Sequence, residues 1–283
     1  MKKILGYVLS IIAVLVVVTG CGSGSKDSAK DSKDGKDVTV KLGVVGEDTT
    51  VWDSVSKRLK DEGIKIEYVK FTDYSQPNVA LDNGDIDINS FQHQIFLDNF
   101  NKEHGTDLVS IGNTYNAPLG IYSEKVKDIK DIKEGDSISI PNDVTNGGRA
   151  LLLLQTAGLI KVDPSKKQAP TVSDITENKL NLKIQELDAS QTPRSLQDVT
   201  AAIINSGVAV DAGYDPTKDA IFLEPVDDTS KPYVNIIVVN KKDENNETYK
   251  KIVEAYQTDD TKKVIEDTYK GSIIPAWETF GKK

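Results

Sequence analysis

Strand-like and helix-like segments alternate from Val38 to the C-terminus, which predicts an α/β fold. With 283 residues, the chain can build one large or two modest domains with real cores. Two side-chain clusters, Phe71–Asn78 and Asn89–His93, stand where strands hand over to helices, the place where open α/β sheets bind ligands. The chain runs from one half into a second and comes back near its end, which fits two lobes. Periodicity alone does not reveal that return.

The elements follow in order. Val38–Val45 alternates and then turns wholly apolar, a first strand, and Gly46–Thr50 leads into a helix over Val51–Leu59 that Gly63 stops. Ile64–Val69 alternates as a strand leading to Phe71. Pro77–Leu81 reads as a short helix with proline in its first turn, and Asn83-Gly84-Asp85 as a turn into Ile86–Ile88. Gln94–Phe100 has helical spacing. Asp107–Ile111 and Pro118–Tyr122 are strands, and Lys125–Gly135 is a solvated run with a short helix. Asp136–Ile140 is a strand, and Ala150–Leu159 a helix capped by Thr145 or Asn146. The stretch 161–172 is a loop. Leu182–Leu187 reads as a strand, Ser195–Asn205 as a helix, and Val208–Asp211 and Ile221–Leu223 as short strands. Tyr233–Val239 has the strongest β character of the second half. Thr248–Tyr256 and Asp259–Tyr269 are amphipathic helices.

The N-terminus reads as a processing segment. Lys2-Lys3 precede an apolar run, Ile4–Val18, and small residues lead to Cys21. Residues 1–20 are expected to be a signal peptide, and residues 21–37, rich in Gly, Ser, Lys and Asp, a flexible tether. Val18-Thr19-Gly20-Cys21 resembles the lipobox of bacterial lipoproteins, which implies lipid on Cys21 and cleavage before it. The expected location is the extracellular face of a bacterial cell membrane, Gram-positive, with lipid (palmitate among it) as the anchor. Cys21 is the only cysteine, so no intramolecular disulfide forms.

The formal net charge is −9, and losing Lys2 and Lys3 makes the mature chain more acidic still. That balance suits solubility outside the cell and disfavours nucleic acid, which needs a concentrated basic face. With two histidines and one cysteine there is no metal-ligand spacing. The strained Gly-x-Ser-x-Gly turn and the phosphate-binding Gly-x-x-x-x-Gly-Lys-Ser/Thr are both absent. No catalytic residue, cofactor or metal is therefore expected. Aromatic walls with a few amides suit binding of a small amphipathic solute.

Arg149 follows Gly147-Gly148 at the opening of a helix, where a guanidinium could grip a carboxylate bidentately and glycines would let the backbone approach a ligand. A surface arginine paired with an aspartate fits the same local sequence. Asn235 lies inside an apolar strand and needs a partner, in a ligand amino group or a neighbouring backbone. His93, Tyr74, Phe91 and Tyr115 fit either a ligand wall or ordinary packing, and Trp52 and Trp277 fit the core.

Five blocks together carry a resemblance: Phe71–Asn78, Asn89–His93, Pro141–Leu151, Gln191-Thr192-Pro193-Arg194 and Pro232-Tyr233-Val234-Asn235. In order and over the whole chain from Val38, they resemble the NlpA/MetQ family of methionine-binding lipoproteins of ABC importers. The resemblance implies a two-lobed, periplasmic-binding-protein-like (type II) fold with ligand in the cleft. Lobe 1 would take residues 38–116 plus 233–283, and lobe 2 residues 117–232. It implies a monomer that binds L-methionine or a related amino acid or dipeptide and docks on an ABC permease with its ATPase. Arg149 would bind the carboxylate and Asn235 the amino group, while Phe71, Tyr74, Phe91, His93 and Tyr115 line the side-chain pocket, with Asn146 helping. One departure stands out: the family reads Ile-Asn-Gly-Asn-Tyr-Ala where this chain has Ile204-Asn205-Ser206-Gly207-Val208-Ala209, so Gly207 replaces a ligand-side asparagine. Competing classes are an extracellular lipoprotein hydrolase using His93 and a surface interaction protein with a vestigial cleft.

Overall fold

The computed structural model describes residues 37–283. The expected signal peptide, Cys21 and nearly all of the expected tether lie outside the described residues.

A six-stranded sheet is built from both ends of the described chain. In chain order its strands are β1 (Val38–Val45), β2 (Ile64–Phe71), β3 (Ile88–Asn89), β4 (Val109–Asn116), β12 (Val234–Val239) and β13 (Ile274–Pro275). Across the sheet they run β2-β1-β3-β12-β4-β13. β1 pairs parallel with β2 and β3, whereas β12 is antiparallel to β3 and β4. A second sheet, of five strands, takes the middle: β5 (Gly120–Tyr122), β6 (Ser137–Pro141), β9 (Lys183–Leu187), β10 (Ala201–Ile204) and β11 (Ala220–Leu223), ordered β11-β5-β10-β6-β9. A small antiparallel pair joins β7 (Lys161–Val162), at the start of the expected loop, to β8 (Ile175–Glu177), just beyond its end.

Period-two alternation places the cores. Along β12, Ile236 and Val238 join the cluster of Leu81, Leu97 and Phe100, while Ile237 and Val239 join that of Leu59, Ile252 and Tyr256. The first sheet therefore carries helices on both faces. α2 (Pro77–Asn83) and α3 (Gln94–His104) contribute to one core, and α1 (Thr50–Lys60), α6 (Glu247–Tyr256) and α7 (Asp259–Tyr269) to the other. In the second sheet Ile203 packs with Leu151 and Leu154 of α4 (Val144–Thr156), and Ala202 and Ile204 pack on the opposite side with Leu196 and Ala209.

Two stretches differ from the sequence expectation. Ser195–Asn205 is not a helix: Arg194–Gln197 is one 3-10 turn, and Ala201–Ile204 is the middle strand β10. Leu196, Val199 and Ile203 happen to fall at helical spacing, but a strand covered on both faces is apolar throughout, so period cannot separate the two. Val208–Asp211 is not a strand but part of α5 (Ser206–Asp211), a helix too short to leave a periodic signature. α4 also starts earlier than expected. Its cap is Asp143, whose carboxylate accepts from the Asn146 N–H at 2.9 Å, rather than Thr145 or Asn146. The early start puts Asn146 and Arg149 in the first two turns of the helix.

Candidate functional site

A cavity is lined from both sheets. From the first come Val44 and Val45 at the carboxyl end of β1, Ser90–His93 after β3, Tyr115 on β4 and Asn235 on β12. From the second come Asn146 and Arg149 on α4, and Asn205–Val208 where the chain leaves β10. The space open to the centres of water molecules is about 120 Å³, room for a small organic molecule.

The segment before α3 is held from below. Asn78, Asn89 and Gln92 bond one another through four side-chain contacts of 2.6–2.9 Å, all buried. Ile236 N–H donates to the Gln92 carbonyl at 3.0 Å, and Asn235 bridges His93 in antiparallel fashion. His93 thereby becomes the cap of α3, its Nδ1 accepting from the Phe96 N–H at 3.2 Å. With Nδ1 an acceptor, the proton of the neutral ring sits on Nε2, which donates to Asn146 Oδ1 at 3.3 Å. Burial, and then the Arg149 charge, push His93 down to about 3, so the ring is neutral at physiological pH. Both ring nitrogens are occupied, which leaves no free nitrogen to activate a nucleophile.

Around His93 stands an aromatic wall. Tyr74 and Phe91 lie 6.0 Å apart, and Phe96 meets Phe91 edge-on at 5.7 Å. Tyr233 meets His93 edge-on at 5.5 Å. Burial drives the Tyr74 phenol above its usual range and Tyr115 up to about 12, so both hydroxyls stay protonated.

Arg149 is 3 % exposed and its guanidinium lies 4.3 Å over the Tyr233 ring. Nε donates to Glu224 Oε1 at 2.9 Å, and Nη2 to Glu224 Oε2 and to the Ala117 carbonyl at 3.0 Å. The bidentate edge expected to face a ligand is thus spent on Glu224. Nη1 has no hydrogen-bond partner among the described residues. Gly147 and Gly148 have another use than expected: a Cβ there would lie 2.8 Å from the Pro141 carbonyl and 2.9 Å from that of Gln168, so they let α4 pack against the chain.

Asn146 is engaged through both of its amide atoms. Its Nδ2 donates to Asp143 at 3.0 and 3.2 Å, and its Oδ1 accepts from His93 and from Asn205 Nδ2 at 2.8 Å. Asn205 Oδ1 is left buried without a partner, as is Ser206 Oγ beside it. Asn205 stands at the cap position of α5, yet its side chain makes no capping bond. Asn205 Oδ1 and Ser206 Oγ each keep a hydrogen-bonding capacity that the described residues do not meet.

The family model for NlpA lipoprotein matches residues 40–277. The chain belongs to the NlpA lipoprotein family. It is 41% identical to the D-methionine-binding lipoprotein MetQ of Escherichia coli (strain K12), over 97% of this chain and 98% of that one. Among solved structures it is similar to a nutrient binding protein from Burkholderia cenocepacia bound to methionine, at 47% identity and TM-score 0.80, covering 84% of this chain and 99% of that one. The substrate binding protein of a methionine transporter from Streptococcus pneumoniae matches at 45% identity and TM-score 0.80, over 84% and 96%. These relatives are binding proteins, and the two-lobed fold is that of periplasmic substrate-binding proteins. No helix among the described residues is long and apolar enough to cross a membrane.

In this NlpA-family chain the structure gathers Arg149, Asn235, Tyr74, Phe91, His93, Tyr115, Asn146 and Gly207 around one cavity. Phe71 is the exception. It shares the face of Val69 on β2 and packs against the Leu81–Leu97 core instead. Reasoning from sequence missed Asn205, Ser206 and Phe96. Phe96 is signalled by its place three residues after His93, and Asn205 by its place where a strand ends before a helix. Trp52, expected in the core, is buried there at 6 % exposure and also lines the cavity. Gly207 has nothing within 4 Å of the position a Cβ would take.

Proposed function

We propose that this chain is a lipid-anchored receptor that captures methionine between its lobes and hands it to an ABC permease and its ATPase. It acts by binding alone, as a monomer without cofactor or metal. Residues 1–20 are the leader, Cys21 carries the lipid on the extracellular side, and 21–37 form the tether. The lobes are 38–116 with 233–283, and 117–232. The observation that carries the reading is a pair of residues that line one aromatic-walled cavity and each keep a polar atom without a partner, Nη1 of Arg149 and Oδ1 of Asn205. Arg149 takes the carboxylate through Nη1, Asn205 and Asn235 take the ammonium, and Tyr74, Phe91, Phe96 and His93 receive the thioether. Isothermal titration with L- and D-methionine tests it; absence of heat with both enantiomers removes the reading.

The open space at Gly207 favours a second ligand, a methionine-containing dipeptide, in the same cleft. Titration with the dipeptide beside the free amino acid separates the two.

A further inference from the structure

The amides of the cleft have a direction, and one carboxylate sets it. An amide side chain can face either way, so its orientation is fixed only by neighbours of unambiguous character. Asp143 is such a neighbour, because a carboxylate offers acceptors only. It holds Asn146 by the backbone N–H at 2.9 Å and by Nδ2 at 3.0 and 3.2 Å, and takes the Thr145 hydroxyl at 2.8 Å. Asn146 must then turn its oxygen away from Asp143, toward Asn205 Nδ2 at 2.8 Å and His93 Nε2 at 3.3 Å. Asn205, a residue of the cavity lining, has given its NH2 and is left with its oxygen buried and unpaired. Reversing Asn146 would set oxygen against carboxylate and NH2 against NH2, so the order has one stable sense.

We infer that Asp143, which need not touch the ligand, is the positioning residue that makes the cleft selective for a ligand carrying an ammonium group. Its carboxylate reaches Asn205 through Asn146 and keeps an acceptor there. The same relay joins the lobes, since His93 comes from the first sheet and Asn146 and Asn205 from the second. This inference rests on the methionine reading for the ligand used to test it, but not for the direction of the amides.

The test compares methionine with 4-(methylthio)butanoate, its analogue without the amino group, by titration calorimetry. A hydrogen bond to a charged donor corresponds to a preference of about 10- to 100-fold for methionine in the unaltered chain. Asp143→Asn keeps an oxygen for the helix cap but can offer NH2 to Asn146, freeing the chain of amides to reverse. Asp143→Ser keeps the cap and releases Asn146 Nδ2. Both are expected to lose about tenfold of the preference, through weaker methionine binding, while the analogue binds as before. Wild-type preference retained in both variants overturns the inference. If the unaltered chain binds neither compound, the methionine reading fails by itself. Neutron diffraction of the ligand-free chain then decides the relay, since it separates amide nitrogen from oxygen: the Asn146 oxygen facing Asn205 supports it, and nitrogen there overturns it.

Discussion

Among the described residues, two clusters of side-chain amides end differently. Asn78, Asn89 and Gln92 close upon themselves, each donor meeting an acceptor inside the trio. Asp143, Asn146 and Asn205 form a line, which starts on a carboxylate and stops on an oxygen with no partner. A closed set of buried polar groups rigidifies the chain around it, and here it anchors the Ser90–His93 segment. An open-ended set carries an uncompensated desolvation cost that a ligand can remove. The end of a polar network thus separates scaffold from site more sharply than its residue types do.

The largest expected effect concerns the one buried charge that belongs to both categories. Arg149 is committed to Glu224, whose side chain is 16 % exposed, and only Nη1 is without a partner among the described residues. Arg149→Met strands that carboxylate and should cost about 3–5 kcal/mol of stability, read as a fall in the melting temperature. The double variant Arg149→Met, Glu224→Met should recover most of the stability yet bind methionine more than about tenfold more weakly. Recovery of binding along with folding would show that the arginine is scaffold only.

Asn78 and Asn205 set the closed and open networks against each other directly. Asn78→Ala breaks the trio and is expected to destabilise by about 1–3 kcal/mol while changing methionine affinity less than about threefold. Asn205→Ala should do the reverse, lowering affinity about tenfold or more at nearly unchanged melting temperature. Denaturant titration and calorimetry on both variants check the crossing; parallel effects would dissolve the distinction.

Much of this site was legible in the sequence, and the illegible part shares one physical cause. The blocks around Tyr74, Phe91 and His93 stood out because a strand ending in aromatic and amide residues before a helix has few structural reasons to look so. Arg149 stood out by its place after a Gly-Gly pair, although those glycines serve packing. Its partner Glu224 lies 75 residues away, and long-range pairing of that kind leaves no local trace. The same holds for Asn205, whose meaning depends on Asn146, 59 residues earlier. Phe71 was misplaced because the strand's parity at its last residue decides which face it covers. Ser195–Asn205 reads as a helix in sequence because its strand, Ala201–Ile204, is buried on both faces and has no period of its own.

The pH behaviour of His93 sharpens the comparison at smaller scale. Its folded-state value, about 3, lies below the usual 6.5, because burial and then Arg149 disfavour the charged ring. Below the unfolded value the unfolded chain binds the proton more readily, so stability should fall as pH drops from about 6.5 toward about 3 and rise again as pH is restored. His93→Gln, which cannot titrate, should flatten that part of the profile. Melting temperatures across the window give the difference, and identical slopes in both chains would show that the ring is not held neutral.

The smallest effect is expected at Gly207, an exposed residue of the cavity lining with open space around it. A Cβ there meets nothing within 4 Å, and the residue's backbone is not in the left-handed region. Gly207→Ala should therefore stabilise by about 0.5 kcal/mol, since glycine loses more freedom on folding than alanine does. Gly207→Asn places an amide beside Asn205 and Ser206, where it can meet one of their unpaired oxygens or project toward the ligand. Methionine affinity should move by less than about tenfold, because the groups proposed to fix its two charged ends are untouched. A dipeptide, needing the space itself, should lose more. Equal losses for both ligands would place the free volume at Gly207 outside the part of the cavity that ligands use.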